Sequence, residues 1–152
     1  MRQLNPEVVH FFAKQNFVIL STIDPRGRPH SACKGIAKIS EGTLYLLDLY
    51  HGQTWVNLKR NPQASVTAID EHSFKGYCLK GSARIMTEAE MDAESIKAWE
   101  DRVTSRITQR MLRNIQEKKG HPRHPEALLP QPKYMVALRV EQIIDLTPSH
   151  LK

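Results

Sequence analysis

The chain has little cysteine and no long apolar run. Its 152 residues include only two cysteines, Cys33 and Cys78, and their spacing matches neither a metal-binding motif nor a disulfide framework. Both lie in strand-like segments, so we expect two buried thiols. No stretch approaches the roughly 20 apolar residues that a membrane-spanning helix needs, and Asn5-Pro6-Glu7 interrupts the region where a signal peptide would have its apolar core. The sequence therefore predicts a cytoplasmic protein without a membrane segment.

Excess positive charge is missing from most of the chain. The formal net charge is +6, and residues 102–124 alone account for it, because this segment has seven basic residues and one acidic residue. The seven are Arg102, Arg106, Arg110, Arg113, Lys118, Lys119 and Arg123. The first three recur every four residues, which indicates either a solvated helix face or a rim that attracts an anionic substrate. No aromatic residue lies among them to stack on bases, so we expect no nucleic-acid partner.

Metal ligands are scarce as well. His121 and His124 are three residues apart with Pro122 between them, and we find no further ligands that complete a set around the pair. The surrounding residues 120–132 include four prolines, which predicts a loop. We therefore expect no metal site.

Apolar periodicity predicts one domain, residues 1–152, with six strands. A chain of this length buries roughly 68–70% of the surface that its unfolded form exposes, which is enough for one core. The predicted strands are residues 17–23, 29–39, 43–49, 64–69, 76–85 and 134–146. Turn chemistry such as Asp24-Pro25-Arg26-Gly27 joins most of them as hairpins. An antiparallel sheet of this size closes into a barrel to remove its edges, so we expect a mainly β fold of the α+β class.

Three helices are predicted around these strands. The first is capped by Asn5 and begins at Pro6, the second covers residues 54–60, and the third begins near residue 88 and reaches as far as residue 119. Its start is indicated by a capping box, Thr87 to Glu90. Its apolar face consists of Met91, Trp99, Val103, Ile107, Met111 and Ile115.

The segment HGQTWVNLKRNP, residues 51–62, places a polar turn and a helix start directly after an apolar strand. The first N–H groups of a helix lack intrahelical partners and carry partial positive charge, so such a junction can hold a phosphate. Thr54 offers a hydroxyl and Gln53 an amide at this point. An ordinary helix start is the alternative interpretation of the same residues.

Four segments in order resemble the flavin-binding split-barrel family related to pyridoxamine 5′-phosphate oxidase. They are FVILSTIDPRGRPH, GTLYLLDL, HGQTWVNLKRNPQASVTAID and GYCLKGSARI, which together cover roughly residues 17–85, and the predicted last strand extends the match. The resemblance implies a homodimer of six-stranded split barrels that binds flavin mononucleotide (FMN) at the subunit interface. It also implies a small-molecule redox substrate, although no residue stands out as an obligatory acid or base.

The resemblance assigns roles to individual positions. For the strand after Gly-x-Pro-His, the resemblance implies that Cys33, Lys34 and Gly35 contact the isoalloxazine ring. The strand before the phosphate turn implies further ring contacts from Leu47, Asp48 and Leu49. The turn and the helix start imply phosphate contacts from Gln53, Thr54 and Asn57. Gly35 would let a planar ring approach the backbone closely.

Position 53 departs from the family pattern, because relatives often have lysine or arginine where this chain has Gln53. The phosphate then loses a charge-assisted hydrogen bond, which is stronger than a neutral one. Weaker FMN affinity, a different cofactor, and compensation by Lys34, Lys59 or Arg60 are all open, and we favour compensation from the helix residues Lys59 and Arg60. Lys34 is expected either to line a groove or to point to solvent at a sheet edge.

The implied function is that of an FMN-dependent oxidoreductase, in which the cofactor supplies the redox chemistry. A flavin-binding carrier or sensor without turnover needs the same groove and is a second hypothesis. Haem or deazaflavin binding on the same barrel is a third. Pyridoxamine phosphate itself is not the expected substrate, because residues 134–146 lack the Arg-x-His arrangement with which the true oxidases hold it.

Overall fold

Six antiparallel strands close into a barrel in the computed structural model, which describes residues 3–117 and 133–152. The strands are β1 (Phe17–Ile23), β2 (Pro29–Ser40), β3 (Thr43–Asp48), β4 (Gln63–Asp70), β5 (Lys75–Met86) and β6 (Tyr134–Asp145). Their order around the barrel is β1-β2-β3-β6-β5-β4. The predicted fold class is confirmed, and every predicted strand boundary lies within one residue of the observed one. The predicted loop 120–132, with His121 and His124, lies outside the described residues.

The β1–β2 hairpin shows why these residues turn. The Asp24 carboxylate accepts hydrogen bonds from the N–H groups of Arg26 at 2.8 Å and Arg28 at 2.9 Å. Gly27 has a φ of 78°, a conformation that glycine adopts without steric cost. The side chain and the glycine together fix a tight connection, and it sets the register in which β1 and β2 pair.

Within the described residues, three α-helices flank the barrel: α1 (Pro6–Ala13), α2 (Gln53–Arg60) and α3 (Ala93–Glu117). Asn5 caps α1 as predicted, because its side-chain oxygen accepts the N–H of Glu7 at 2.9 Å. Val8 and Phe12 of α1 are buried against the barrel. No helix among the described residues is long and apolar enough to cross a membrane.

The predicted start of the third helix is wrong by about five residues. The capping box at Thr87 forms, but it begins only a single 3₁₀ turn, Glu88–Glu90. Met91 is then extended and buried, and α3 begins at Ala93, where the Asp92 carboxylate accepts the N–H of Ser95 at 2.7 Å. Burial of Met91 against the barrel therefore separates two caps that the sequence presents close together.

Two apolar clusters lie on opposite faces of the sheet. Inward-facing side chains of the strands, with Val8, Phe12 and Leu58 from the helices, form the barrel core. A second cluster lies on the outer face, where Trp99 and Val103 of α3 cover β2, β3 and β6. Of the apolar face predicted for the third helix, Trp99 and Val103 are confirmed, whereas Met91 is buried but lies before α3 begins. The side chains of residues 106–111 and 113–117 lie outside the described part.

Three side chains differ from their predicted environments. Cys33 was expected to be buried but is exposed, because it occupies an outward position of β2. Cys78 is half-buried. Arg102, predicted either to face solvent or to form a rim, donates instead to the backbone carbonyls of Ala13 at 3.0 Å and Gln15 at 3.2 Å. It therefore ties α3 to the carboxyl end of α1.

Candidate functional site

The junction between β3 and α2 has the strand, turn and helix arrangement that the sequence predicts. β3 ends at Asp48, Gly52 is the N-cap of α2, and no side chain caps the helix start. The carbonyl of Gly52 accepts the N–H of Val56 at 3.2 Å, so the helical hydrogen bonding begins here. The N–H groups of the first turn therefore have no intrahelical partners, which is the condition for binding an anion.

A chain of amide hydrogen bonds fixes α2 on the barrel. The side-chain amide of Gln53 donates to Asn57 Oδ1 at 2.7 Å, and Asn57 Nδ2 donates to Thr22 Oγ1 of β1 at 3.0 Å. Asn57 and Thr22 are completely or almost completely buried, and so is Thr54. Of the three residues predicted to contact phosphate, only Gln53 has an exposed side chain. Asn57 serves here as the bridge between α2 and β1.

Three cations were predicted to compensate for the missing charge at position 53, and each has a partner within the chain. Lys34 pairs with Asp48 at 2.6 Å. Arg60 donates to the backbone carbonyl of Asp24 at 2.6 Å. Lys59 Nζ lies 4.0 Å from the centroid of the Trp55 ring, in a cation–π contact.

A polar row crosses the inside of the barrel beneath the turn. Lys34 of β2, Asp48 of β3 and Tyr134 of β6 lie side by side, because the register pairs Gly35 with Leu47 and Asp48 with Tyr134. Asp48 Oδ2 lies 2.6 Å from Lys34 Nζ and accepts the Tyr134 hydroxyl at 2.5 Å. The side chains of Lys34 and Asp48 are only 13% and 7% exposed. The pairing compensates the buried charges, since an isolated one would be very costly.

Tyr134 connects this row to the turn. Burial, and secondarily the hydrogen bond to the Asp48 carboxylate, raises the pKa of Tyr134 well above its ordinary value, so the phenol keeps its proton and donates it to the hydrogen bond. The ring of His51 stacks on the Tyr134 ring with centroids 5.5 Å apart, and its centroid lies 4.7 Å from that of Trp55 in a tilted contact. The first residue of the turn is therefore held between β6 and α2.

Strand alternation divides the predicted ring contacts between two faces of the sheet. In β2, Lys34 points into the barrel, whereas Cys33 and Gly35 lie on the outer face. In β3, Asp48 points inward, while Leu47 lies outside beneath α3. The half-buried Leu49, which follows β3, packs against the same outer cluster. The structure thus brings Lys34 and Asp48 together and separates them from the other four.

An apolar strip continues the outer face of β2 across β1 and β4. It consists of Phe17, Ile19 and Ile69, which are 38%, 45% and 63% exposed. Ile19 pairs in register with Cys33 on one side and with Thr67 on the other. We call these three residues the outer strip. It adjoins the face of β2 that carries the predicted ring contacts Cys33 and Gly35.

Sequence reasoning missed two residues of the site. Tyr134 was assigned only as the start of a strand, and no role was predicted for His51. A signal for Tyr134 existed, because Asp48 ends an apolar strand and a buried carboxylate needs a hydrogen-bond donor. Identifying that donor requires the pairing of β3 with β6, which places Asp48 opposite Tyr134, 86 residues away in the chain.

The closed barrel and the strand-to-helix junction define the class of six-stranded barrels with a pyridoxamine 5′-phosphate oxidase-like fold. The family model described as pyridoxamine 5′-phosphate oxidase matches residues 4–143, so the chain belongs to this family. The suspected resemblance is thereby confirmed. No match to the chain was found among curated protein sequences.

Solved structures show the same fold at low sequence identity. HupZ from Group A Streptococcus has a TM-score of 0.63 and 20% identity, with 95% of each chain covered. A conserved hypothetical protein from Mycobacterium tuberculosis has a TM-score of 0.64 and 19% identity, covering 97% of this chain and 86% of that one. A pyridoxamine 5′-phosphate oxidase-related, FMN binding protein from Nostoc punctiforme has a TM-score of 0.57 and 14% identity, covering 95% and 86%.

Proposed function

We propose that the protein is an FMN-binding flavoprotein and an FMN-dependent oxidoreductase that acts on a small-molecule redox substrate. The observation that carries the proposal is the family match over residues 4–143, which includes the whole barrel up to β6 and the turn before α2. A relative of the same fold, from Nostoc punctiforme, is described as FMN binding.

The residues at the junction suit FMN in two respects. The first N–H groups of α2 have no side-chain cap, so they are available to donate hydrogen bonds to a phosphate. Gly35 and Cys33 present a part of β2 with little side-chain bulk beside the outer strip, where a planar ring can approach the backbone. We assign the phosphate to the turn that includes Gln53 and Thr54, and the ring to the outer face of β2.

In this proposal the side chains of the site bind and orient the flavin, and none is assigned to proton transfer. When bound, FMN supplies the capacity to accept an electron pair from a substrate. Lys34, Asp48 and Tyr134 satisfy one another inside the barrel, so they set the position of the turn and keep charge away from the ring side of β2. The substrate would lie beside the flavin ring, on the outer face of β2.

We further propose a homodimer that completes the groove. The outer strip leaves Ile19 and Ile69 substantially exposed next to the assigned ring position. Exposed apolar surface beside a binding groove is characteristic of a protein–protein contact. A second copy of the chain placed on the strip would bury it and close the groove from the other side.

The first experiment is a visible absorption spectrum after incubation with FMN and passage through a desalting column. We expect two flavin bands and about one FMN per protomer. NADH or NADPH is then added under anaerobic conditions, and bleaching of the bands with product formation would support an oxidoreductase, whereas retained and unreduced flavin would indicate a carrier or sensor. A protein that retains no FMN contradicts the proposal, and the same column run with haem or a deazaflavin would then test the other cofactors.

A further inference from the structure

The turn between β3 and α2 has little positive charge to offer a ligand. Lys34 points into the barrel, where its side chain is 13% exposed and pairs with Asp48 at 2.6 Å. Arg60 is held on the carbonyl of Asp24 at 2.6 Å. Lys59 lies against the face of Trp55, 4.0 Å from the ring centroid. The three cations that could compensate for the neutral residue at position 53 are therefore each held by another partner within the chain.

The side chains of Gln53 and Thr54, to which we assign the phosphate, carry no charge. Gln53 is an amide whose nitrogen is already bonded to Asn57 at 2.7 Å, and Asn57 is in turn bonded to Thr22. Thr54 contributes at most a hydroxyl from a side chain that is 2% exposed. The remaining donors are the first N–H groups of α2, which carry only the partial charge of the helix terminus.

We infer that the site recognises the ring and the ribityl chain of a flavin and gains little from its phosphate, so that riboflavin and FMN bind with affinities that differ by less than tenfold. The inference rests on the proposed function. A helix terminus favours an anion by roughly two- to fivefold. A hydrogen bond from a charged donor adds roughly ten- to a hundredfold. Among the described residues, Lys34, Lys59 and Arg60 each have another partner instead.

The direct test titrates the unmodified protein with FMN and with riboflavin and follows the flavin fluorescence. Dissociation constants within tenfold of each other support the inference. Tenfold or greater preference for FMN overturns it while leaving the proposed function intact. Binding of neither flavin overturns the proposed function and the inference together, so the two failures are distinguishable.

Replacing Gln53 tests the charge directly, and thermal unfolding of each variant checks that the loss of the hydrogen bond to Asn57 leaves the fold intact. We expect Gln53→Lys to raise the affinity for FMN at least tenfold and to leave the affinity for riboflavin within about twofold. Gln53→Met, of similar length and neutral, is the matched control and should move both affinities by the same factor. An equal response of the two flavins to Gln53→Lys would overturn the inference.

A last variant asks whether Lys59 leaves Trp55 when phosphate is present. If Lys59 stays on the ring, Lys59→Met changes both affinities by the same factor. Loss of FMN affinity alone, tenfold or more, would show that Lys59 reaches the phosphate, and the inference would then be wrong.

Discussion

At the scale of single residues, Tyr134 connects the interior of the barrel to the turn before α2. Its hydroxyl donates to Asp48 and its ring stacks on His51. Tyr134→Phe removes the hydroxyl alone and leaves a buried carboxylate without one of its donors, which costs about 1–3 kcal/mol. We expect the free energy of unfolding to fall by that amount in urea at neutral pH. An unchanged unfolding midpoint and slope would show that the hydrogen bond contributes nothing to stability.

The same hydroxyl predicts a response to alkaline pH. The pKa of Tyr134 is raised in the folded protein, first by burial and then by Asp48, relative to about 10 in the unfolded chain. The folded state therefore holds the proton more tightly. The resulting contribution to the free energy of unfolding is complete below about pH 10 and is lost as the pH rises further. Urea unfolding between about pH 8 and pH 11 should show this loss, and Tyr134→Phe should reduce it. The pKa of Tyr77 is also raised, by burial first, so part of the alkaline response should persist in the variant.

The sequence predicts the positions of the site better than their contacts. Lys34 and Asp48 were both assigned to the site, and the structure places them 2.6 Å apart, but their pairing depends on the register of β2 with β3. Asn57 was expected at the phosphate, yet it is completely buried and bonds to Thr22, a partner 35 residues away. Local patterns carry no information on such contacts, because tertiary packing decides them.

At the scale of elements, Asp92 determines where α3 begins. Its carboxylate accepts the N–H of Ser95 at 2.7 Å and pairs with Lys38 at 3.2 Å in an exposed contact. Asp92→Ala removes the cap and should destabilise the protein by about 1 kcal/mol. Asp92→Asn keeps the cap and loses only the exposed ion pair, so we expect a change of about 0.5 kcal/mol or less. Thermal and urea unfolding would compare the two variants. Equal losses of stability would rule out capping as the main contribution of Asp92.

Element boundaries followed from the sequence where turn chemistry is local. The Asp24 and Gly27 turn fixes the ends of β1 and β2, and both strands lie within one residue of prediction. The start of α3 could not be predicted in the same way, because Thr87 and Asp92 are both acceptable caps. Burial of Met91 between them selects the second. A propensity pattern cannot rank two acceptable caps when the choice depends on what the intervening residue packs against.

At the scale of the whole molecule, the outer face of the barrel is covered unequally. α3 shields β2, β3 and β6 with Trp99 and Val103. Ile19 of β1 and Ile69 of β4 remain 45% and 63% exposed, and the sequence pattern does not distinguish their region from the one beneath α3, since both alternate as half-buried strands do. Which outward side chains α3 covers depends on where the helix lies on the barrel, and that is a property of the folded chain.

The proposed dimer gives this asymmetry a testable consequence. Ile19 is 45% exposed and Ile69 63% exposed, and a charge at either position would have to be buried if a second copy covers the strip. We therefore expect Ile19→Lys and Ile69→Lys to convert a dimer into a monomer of unchanged fold, measured by light scattering coupled to size-exclusion chromatography, and to lower FMN retention with it. Leu112→Lys, a substitution at an exposed apolar residue of α3, is the control and should stay dimeric. A wild-type protein that is monomeric at micromolar concentration, or strip variants that remain dimers, would contradict an interface on this face and would require that one subunit holds the flavin alone.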